Sequence, residues 1–139
     1  MRIVFKFSAI TAWIIQALLL VSAQAQEKQK VPENFNYPAS PQIIQVNKVI
    51  KSKSMSGIVT DPSGAAASDV LVEKLEGNWG KRVEAILTDS KGYFAFTKNT
   101  PGIYFLKLSK PGFDSMLLKV EVTTKKASSR LRIGLRLSA

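Results

Sequence analysis

Between residues 88 and 113 two alternating apolar runs are bracketed by three turn signals, and that spacing leaves room for little except antiparallel strands. The runs are Tyr93-Phe94-Ala95-Phe96 and Ile103-Tyr104-Phe105-Leu106-Lys107-Leu108. A period of two puts every second side chain on one face of an extended chain. Asp89-Ser90-Lys91-Gly92 has type I turn preferences, with Asp89 first to cap the backbone and Gly92 fourth. Pro101-Gly102 and Pro111-Gly112 have type II preferences, because proline presets φ and glycine supplies a positive φ.

The same grammar extends in both directions. Strands are expected at 56–60, 69–75, 81–88, 93–97, 103–109, 115–123 and 130–137. The first ends on Asp61-Pro62-Ser63-Gly64, another type I signal closing on Gly64. The expected core combines one face of each strand: Val83, Ala85 and Leu87; Phe94 and Phe96; Tyr104, Leu106 and Leu108; Met116, Leu118, Val120 and Val122; and Leu131, Ile133, Leu135 and Leu137. This pattern predicts an all-β fold, a seven-stranded Greek-key β-sandwich over 54–139, with a core built from two inner faces. A domain of this size buries only about 60–65% of its unfolded surface, so each core residue matters.

Ahead of the sandwich the composition changes twice. Residues 1–25 read as a signal peptide: Arg2 and Lys6 form a basic start, 7–21 are mostly apolar, and Ala23-Gln24-Ala25 is a small-residue cleavage site. The apolar run is about 15 residues, short of the ~20 that span a bilayer. Cleavage after Ala25 removes Arg2 and Lys6 from a net charge of +10, leaving +8. The expected location is therefore secreted or periplasmic, with no membrane span after cleavage. Residues 26–53 read as a flexible polar extension broken by Pro32, Pro38 and Pro41. Within it, 43–50 is apolar enough to lie along a sheet edge.

The chain has no cysteine and no histidine. That removes disulfides, a lipid-modified cysteine, the usual zinc, copper and haem ligand sets, and histidine-based acid–base or triad chemistry. No catalytic residue, metal or cofactor is expected.

The ordered motifs are Gly57-x-Val59-x-Asp61-x-x-Gly64, Val70-x-Val72, Thr88-Asp89-x-x-Gly92-x-Phe94-x-Phe96, Pro101-Gly102-x-Tyr104-x-Leu106-x-Leu108 and Gly112-Phe113. Together they resemble the carboxypeptidase regulatory-like family, a transthyretin-like sandwich, over about 54–139. The resemblance implies a non-catalytic domain grouped with carbohydrate-binding-like sandwiches. Asp69 stands where that family usually has a small residue.

Five features are candidate sites. Trp79, between Gly77 and Gly80 in a loop, suits stacking on a glycan or anchoring a protein. Ile103, Phe105 and Leu117 fall opposite the core-facing residues and form an outward apolar patch, which residues 43–50 or a partner would cover. Arg130, Arg132 and Arg136 share the outer face of the last strand, either contacting an anionic surface or guarding the edge; export argues against nucleic acid. Asp61 and Asp89 each offer one carboxylate, so turn capping fits them better than calcium. Glu73, Glu76 and Glu84 are the only approach to paired carboxylates, and solubilising surface is the better reading. The functional expectation is an exported binding or support module, with a carbohydrate-binding module centred on Trp79 and a docking subunit of an envelope protein as alternatives.

Overall fold

The structure, a computed structural model, describes residues 31–40, 42–97 and 100–139. The expected signal peptide lies outside the described residues. Nine strands run in chain order: β1 (Ile43–Gln45), β2 (Ile50–Ser52), β3 (Ser56–Thr60), β4 (Leu71–Leu75), β5 (Arg82–Leu87), β6 (Tyr93–Ala95), β7 (Gly102–Ser109), β8 (Ser115–Val122) and β9 (Leu131–Gly134). Where the sequence predicts seven strands, two more come from the N-terminal extension. No helix occurs among the described residues, and so none is long and apolar enough to cross a membrane.

The strands form two sheets. Sheet A has the order β1-β8-β7-β4-β5, with β2 also paired to β8; sheet B has the order β6-β3-β9. The apolar layer between them contains Val70, Val72, Leu106, Leu108, Met116, Leu118, Val120 and Val122 from sheet A. From sheet B and its flanks come Met55, Val59, Phe94, Phe96, Leu131, Ile133 and Leu135. Phe94, Gly57 and Leu131 are register partners across sheet B. A Cβ on Gly57 would stand 2.8 Å from the Leu131 Cβ and 2.9 Å from the Phe94 ring, so the glycine lets its two large neighbours close over the backbone.

Two expected core assignments are corrected. On β5 the core-facing residue is Ile86, opposite the fully buried Val72, whereas Ala85 and Leu87 lie on the other face. Val83 is 59% exposed, because the β4–β5 register shifts between Lys74 and Leu75 and leaves Val83 as the extra residue. Leu137 is 65% exposed: β9 ends at Gly134, and Leu137 forms only an isolated bridge with Phe113.

The turns are built by side chains. Asp89 Oδ1 accepts the N–H groups of Lys91 and Tyr93, both at 2.9 Å, and Gly92 N–H donates to the Asp89 carbonyl. Gly92 has φ 72°, and a Cβ there would fall 2.3 Å from the Val59 carbonyl oxygen, so the tip of this turn is pinned to β3. Asp61 Oδ1 does the same work for Ser63 and Ala65, with Gly64 at φ 87°. Lys110-Pro111-Gly112-Phe113 closes with Phe113 N–H on the Lys110 carbonyl and Gly112 at φ 86°, as a type II turn requires. Pro101-Gly102 differs from its expected turn. Gly102 has φ 155°, far from the type II value, because it already pairs with Val122 as the first residue of β7.

In the extension, residues 43–50 take the sheet-edge position expected of them, while the described residues before them differ from the expected flexibility. From Val31 the extension lies on the sandwich, and β1 and β2 pair in parallel with the outer edge of β8. Those pairings satisfy backbone groups that would otherwise line an open edge.

Phe94→Ala is expected to cost about 3–5 kcal/mol in urea unfolding, because it empties the centre of the layer. Gly92→Ala is expected to cost about 1–3 kcal/mol for its left-handed backbone alone. A loss below about 1 kcal/mol for Phe94→Ala would contradict the core described here.

Candidate binding surfaces

The outer face of sheet A is unusual for a surface, since three of its residues are buried: Leu71 at 1%, Glu73 at 7% and Ser115 at 4%. The burial comes from residues 33–40, which cross the face as a strap before entering β1. Tyr37 donates its hydroxyl to the Asp69 carbonyl at 2.6 Å, and its ring packs edge-on against Phe35. Burial, with the Asp69 charge second, pushes the Tyr37 phenol above its ordinary value of 10.0. Asp69 itself has φ 56°, a conformation that aspartate tolerates better than most residues and that aims its carbonyl at the strap.

Arg82 is the clamp. Its Nε donates to Glu73 Oε2 at 3.1 Å, one terminal nitrogen to the Glu33 carbonyl at 3.1 Å, and the other to the Phe35 carbonyl at 2.8 Å and to Asn36 Oδ1. One guanidinium thus joins β5, β4 and the strap, using the forked donor geometry only arginine has. Under the strap a cavity of about 60 Å³ lies among Glu73, Lys107, Ser109, Ser115 and Tyr37.

Glu73 is corrected from solubilising surface: it is buried against Arg82. Glu84, its side chain 40% exposed, pairs with the buried Lys74 at 3.2 Å from the opposite face of the sheet. Lys74 lies in the row of Leu106 and Leu118, where the apolar layer runs out, with its amine 5.5 Å from the Phe96 ring centre and 5.7 Å from that of Tyr104. The two carboxylates point to different sides and cannot flank one scissile bond.

Beyond the strap the outer face of sheet A is open. Trp79 folds back onto it, edge-on to Phe105 at 4.8 Å, and Lys119 lies over the Phe105 ring at 5.7 Å. Asn78 and Trp79 both have positive φ, at 62° and 61°, which turns the indole toward the sheet. Ile103 is 48% exposed at the end of the same face; Phe105 and Leu117 are half-buried. Residues 43–50 do not cover this patch, contrary to one expectation. They extend the sheet in its own plane, beside β8, because the edge backbone takes them first.

The remaining candidates lie elsewhere. Arg130, Arg132 and Arg136 are exposed along β9 and its flanks, at the edge of sheet B. The Asp61 carboxyl is held below the ordinary carboxylate value, chiefly by the Ser63 hydroxyl at 2.6 Å and then, against some desolvation, by backbone N–H groups. Among the described residues no three of His, Cys, Asp and Glu cluster as a metal site would need. Sequence reasoning missed Arg82 and Tyr37. The available signal was Glu73, a charge inside Leu71-Val72-Glu73-Lys74-Leu75 that calls for a partner.

Comparison with known proteins places the sandwich. A family model described as carboxypeptidase regulatory-like domain matches residues 54–136. Among curated proteins no relative matches. Among solved structures the chain is similar to a 3-chlorocatechol 1,2-dioxygenase from Rhodococcus opacus 1CP, at 14% identity and a TM-score of 0.42, covering 94% of this chain and 88% of that one. A likeness that loose has no bearing on function.

Arg82→Met strands the Glu73 carboxylate and is expected to cost about 3–5 kcal/mol, with Glu73→Leu in the same chain restoring most of it. Limited proteolysis should then cut within 33–40 in the single variant first. A second expectation concerns acid. A carboxyl whose folded-state value is depressed adds stability above its unfolded value and loses it as pH falls through the folded one. Carbon-detected NMR titration should therefore place the Asp61 midpoint below 3.8, and Ser63→Ala should move it upward.

Proposed function

The chain belongs to the carboxypeptidase regulatory-like domain family, and from that premise we propose that it is an exported, non-enzymatic module that docks onto a cell-envelope protein. The docking surface is the open end of the outer face of sheet A, made by Ile103, Phe105, Trp79 and Leu117. One observation carries this reading. The chain covers half of that face with its own strap and leaves the other half apolar, with Ile103 at 48% exposure beside the Trp79–Phe105 pair. Such a patch, rimmed by Lys119, Lys107 and Glu121, suits a largely apolar partner surface with charged neighbours of both signs. Export is supported by the basic start, apolar run and Ala23-Gln24-Ala25 at the N-terminus.

The carbohydrate-binding alternative centred on Trp79 has less support. Stacking on a sugar wants an exposed ring, and this indole is half-buried and folded back onto Phe105. The tryptophan reads better as part of the docking patch.

Expressed from its own N-terminus with a C-terminal tag, the chain is expected outside the cytoplasm with Gln26 as its new first residue, read by N-terminal sequencing. Full-length protein confined to the cytoplasm would sink the export half. For docking, a photo-crosslinker at Ile103 should give a defined adduct in envelope fractions, and one at Ser63 should not. Phe105→Asp in the same chain should abolish the adduct. Equal labelling from both positions would overturn the assignment of this face.

A further inference from the structure

We propose that the open stretch of the β9 edge, at Arg132 and Gly134, accepts a short extended acidic peptide segment as an additional strand of sheet B. The two sheets treat their edges differently. Sheet A ends on β5 at one side and, at the other, on the chain's own β1 and β2, which cap β8; sheet B ends on β6 and β9. The outer side of β9 is taken at both ends, the Ser128 carbonyl accepting the Lys53 N–H at 2.8 Å and the Arg136 carbonyl the Asp114 N–H at 2.9 Å. Between them no strand among the described residues pairs with Arg132 and Gly134.

The register fixes which groups the edge offers. Leu135 N–H donates to the Thr60 carbonyl at 2.8 Å, and Leu131, Ile133 and Leu135 alternate on the side facing β3. In a parallel ladder the residues between them turn their N–H and C=O the other way. Arg132 and Gly134 therefore present two donors and two acceptors outward, the set that an incoming strand pairs with. Both residues are exposed, and Gly134 adds no side chain to block the approach.

The charge carried by this strand and its flanks has one sign, with Asp61 next to it just past Thr60, the register partner of Gly134. Residues 122–139 contain Lys125, Lys126, Arg130, Arg132 and Arg136 and no acidic residue. None of the five belongs to the ion pairs found among the described residues, which are Lys74–Glu84 and Arg82–Glu73. The acidic groups nearest in sequence are directed elsewhere: Asp114 is buried and accepts from Ser138, and Glu121 lies on the outer face of sheet A, beside Ile103. Across sheet B, Arg132 continues in one row through Ile58 to Tyr93, which is 40% exposed, so apolar surface lies next to the cationic edge.

Arginine on an edge is a guard against self-association, since two copies pairing through β9 would set Arg132 and its neighbours against their own kind. The same charges favour an acidic strand. The guard and the site are one device: it refuses a second copy and takes a strand of opposite charge. This surface is separate from the apolar docking face and does not depend on it.

The test is fluorescence anisotropy of the purified chain with a labelled peptide alternating Glu and Val. Three comparisons accompany it: the same peptide N-methylated at alternate backbone nitrogens, a Lys-Val peptide, and phosphatidylglycerol vesicles. The Glu-Val peptide is expected to bind, and the N-methylated and Lys-Val peptides are not. Arg132→Glu with Arg136→Glu should weaken binding at least about tenfold, as should raising salt from about 0.05 to about 0.3 M. Arg132→Ser with Arg136→Ser serves if the double charge reversal disturbs the melt. Amide exchange at Arg132 and Gly134 should slow when the peptide is bound. Equal binding of the N-methylated peptide, binding of vesicles without the peptide, or no peptide binding would each overturn the proposal.

Discussion

Two sheets can share one apolar layer only if every backbone donor and acceptor bordering that layer has a partner, and this condition shapes the whole chain. A buried polar group left unpaired costs on the order of 1–3 kcal/mol, comparable to the contribution of a good core contact. Thr88 shows the condition being met at the seam between β4 and β5. It is buried, its hydroxyl donates to the Ala67 carbonyl at 2.7 Å, and it accepts from the Val70 N–H at 2.9 Å. The Asp61 and Asp89 turns meet it at the ends of strands, each carboxylate serving two backbone N–H groups. β1 and β2 meet it along β8.

The same condition explains why buried charge appears in a domain this small. Lys74 and Glu84 close the layer where apolar side chains run out, and the lysine amine lies near the Phe96 and Tyr104 rings while it keeps a carboxylate. Arg82 and Glu73 act on the other face, where the strap would otherwise lay bare carbonyls over a hydrophobic floor. Buried pairs of this kind add little net stability, yet removing one member is costly. The effect of the Arg82–Glu73 pair is positional: it decides where the strap lies.

The strap and the edge strands divide the surface into covered and open parts. Residues 33–40 cover the Leu71 half of sheet A, and β1 and β2 cover its β8 edge. Among the parts that remain open are the apolar end around Ile103 and Phe105 and the arginine-lined middle of the β9 edge. One is flat and greasy; the other is narrow and charged. The two surfaces suit partners of different chemistry.

The sequence by itself determined the strands, most of the turns and most of the core, because a period of two and an Asp-x-x-Gly turn are local and survive without knowledge of neighbours. Phe94, Phe96, Leu106, Leu118 and Leu131 are legible as core from alternation alone. The face of β5 was not legible, since it is set by the register against β4, which pairs Ile86 with Val72 and Ala85 with Glu73, and no local signal marks it. Nor were the partners of Glu73 or the path of residues 33–40, which depend on Arg82 and Asp69 arriving from 46 and 32 residues away on the chain. Whether Trp79 stands free or lies on Phe105, and which strand is left at the edge of each sheet, were settled only by tertiary structure. Those outcomes are set by register and sheet order, which are properties of pairs of strands and are written in no single one of them.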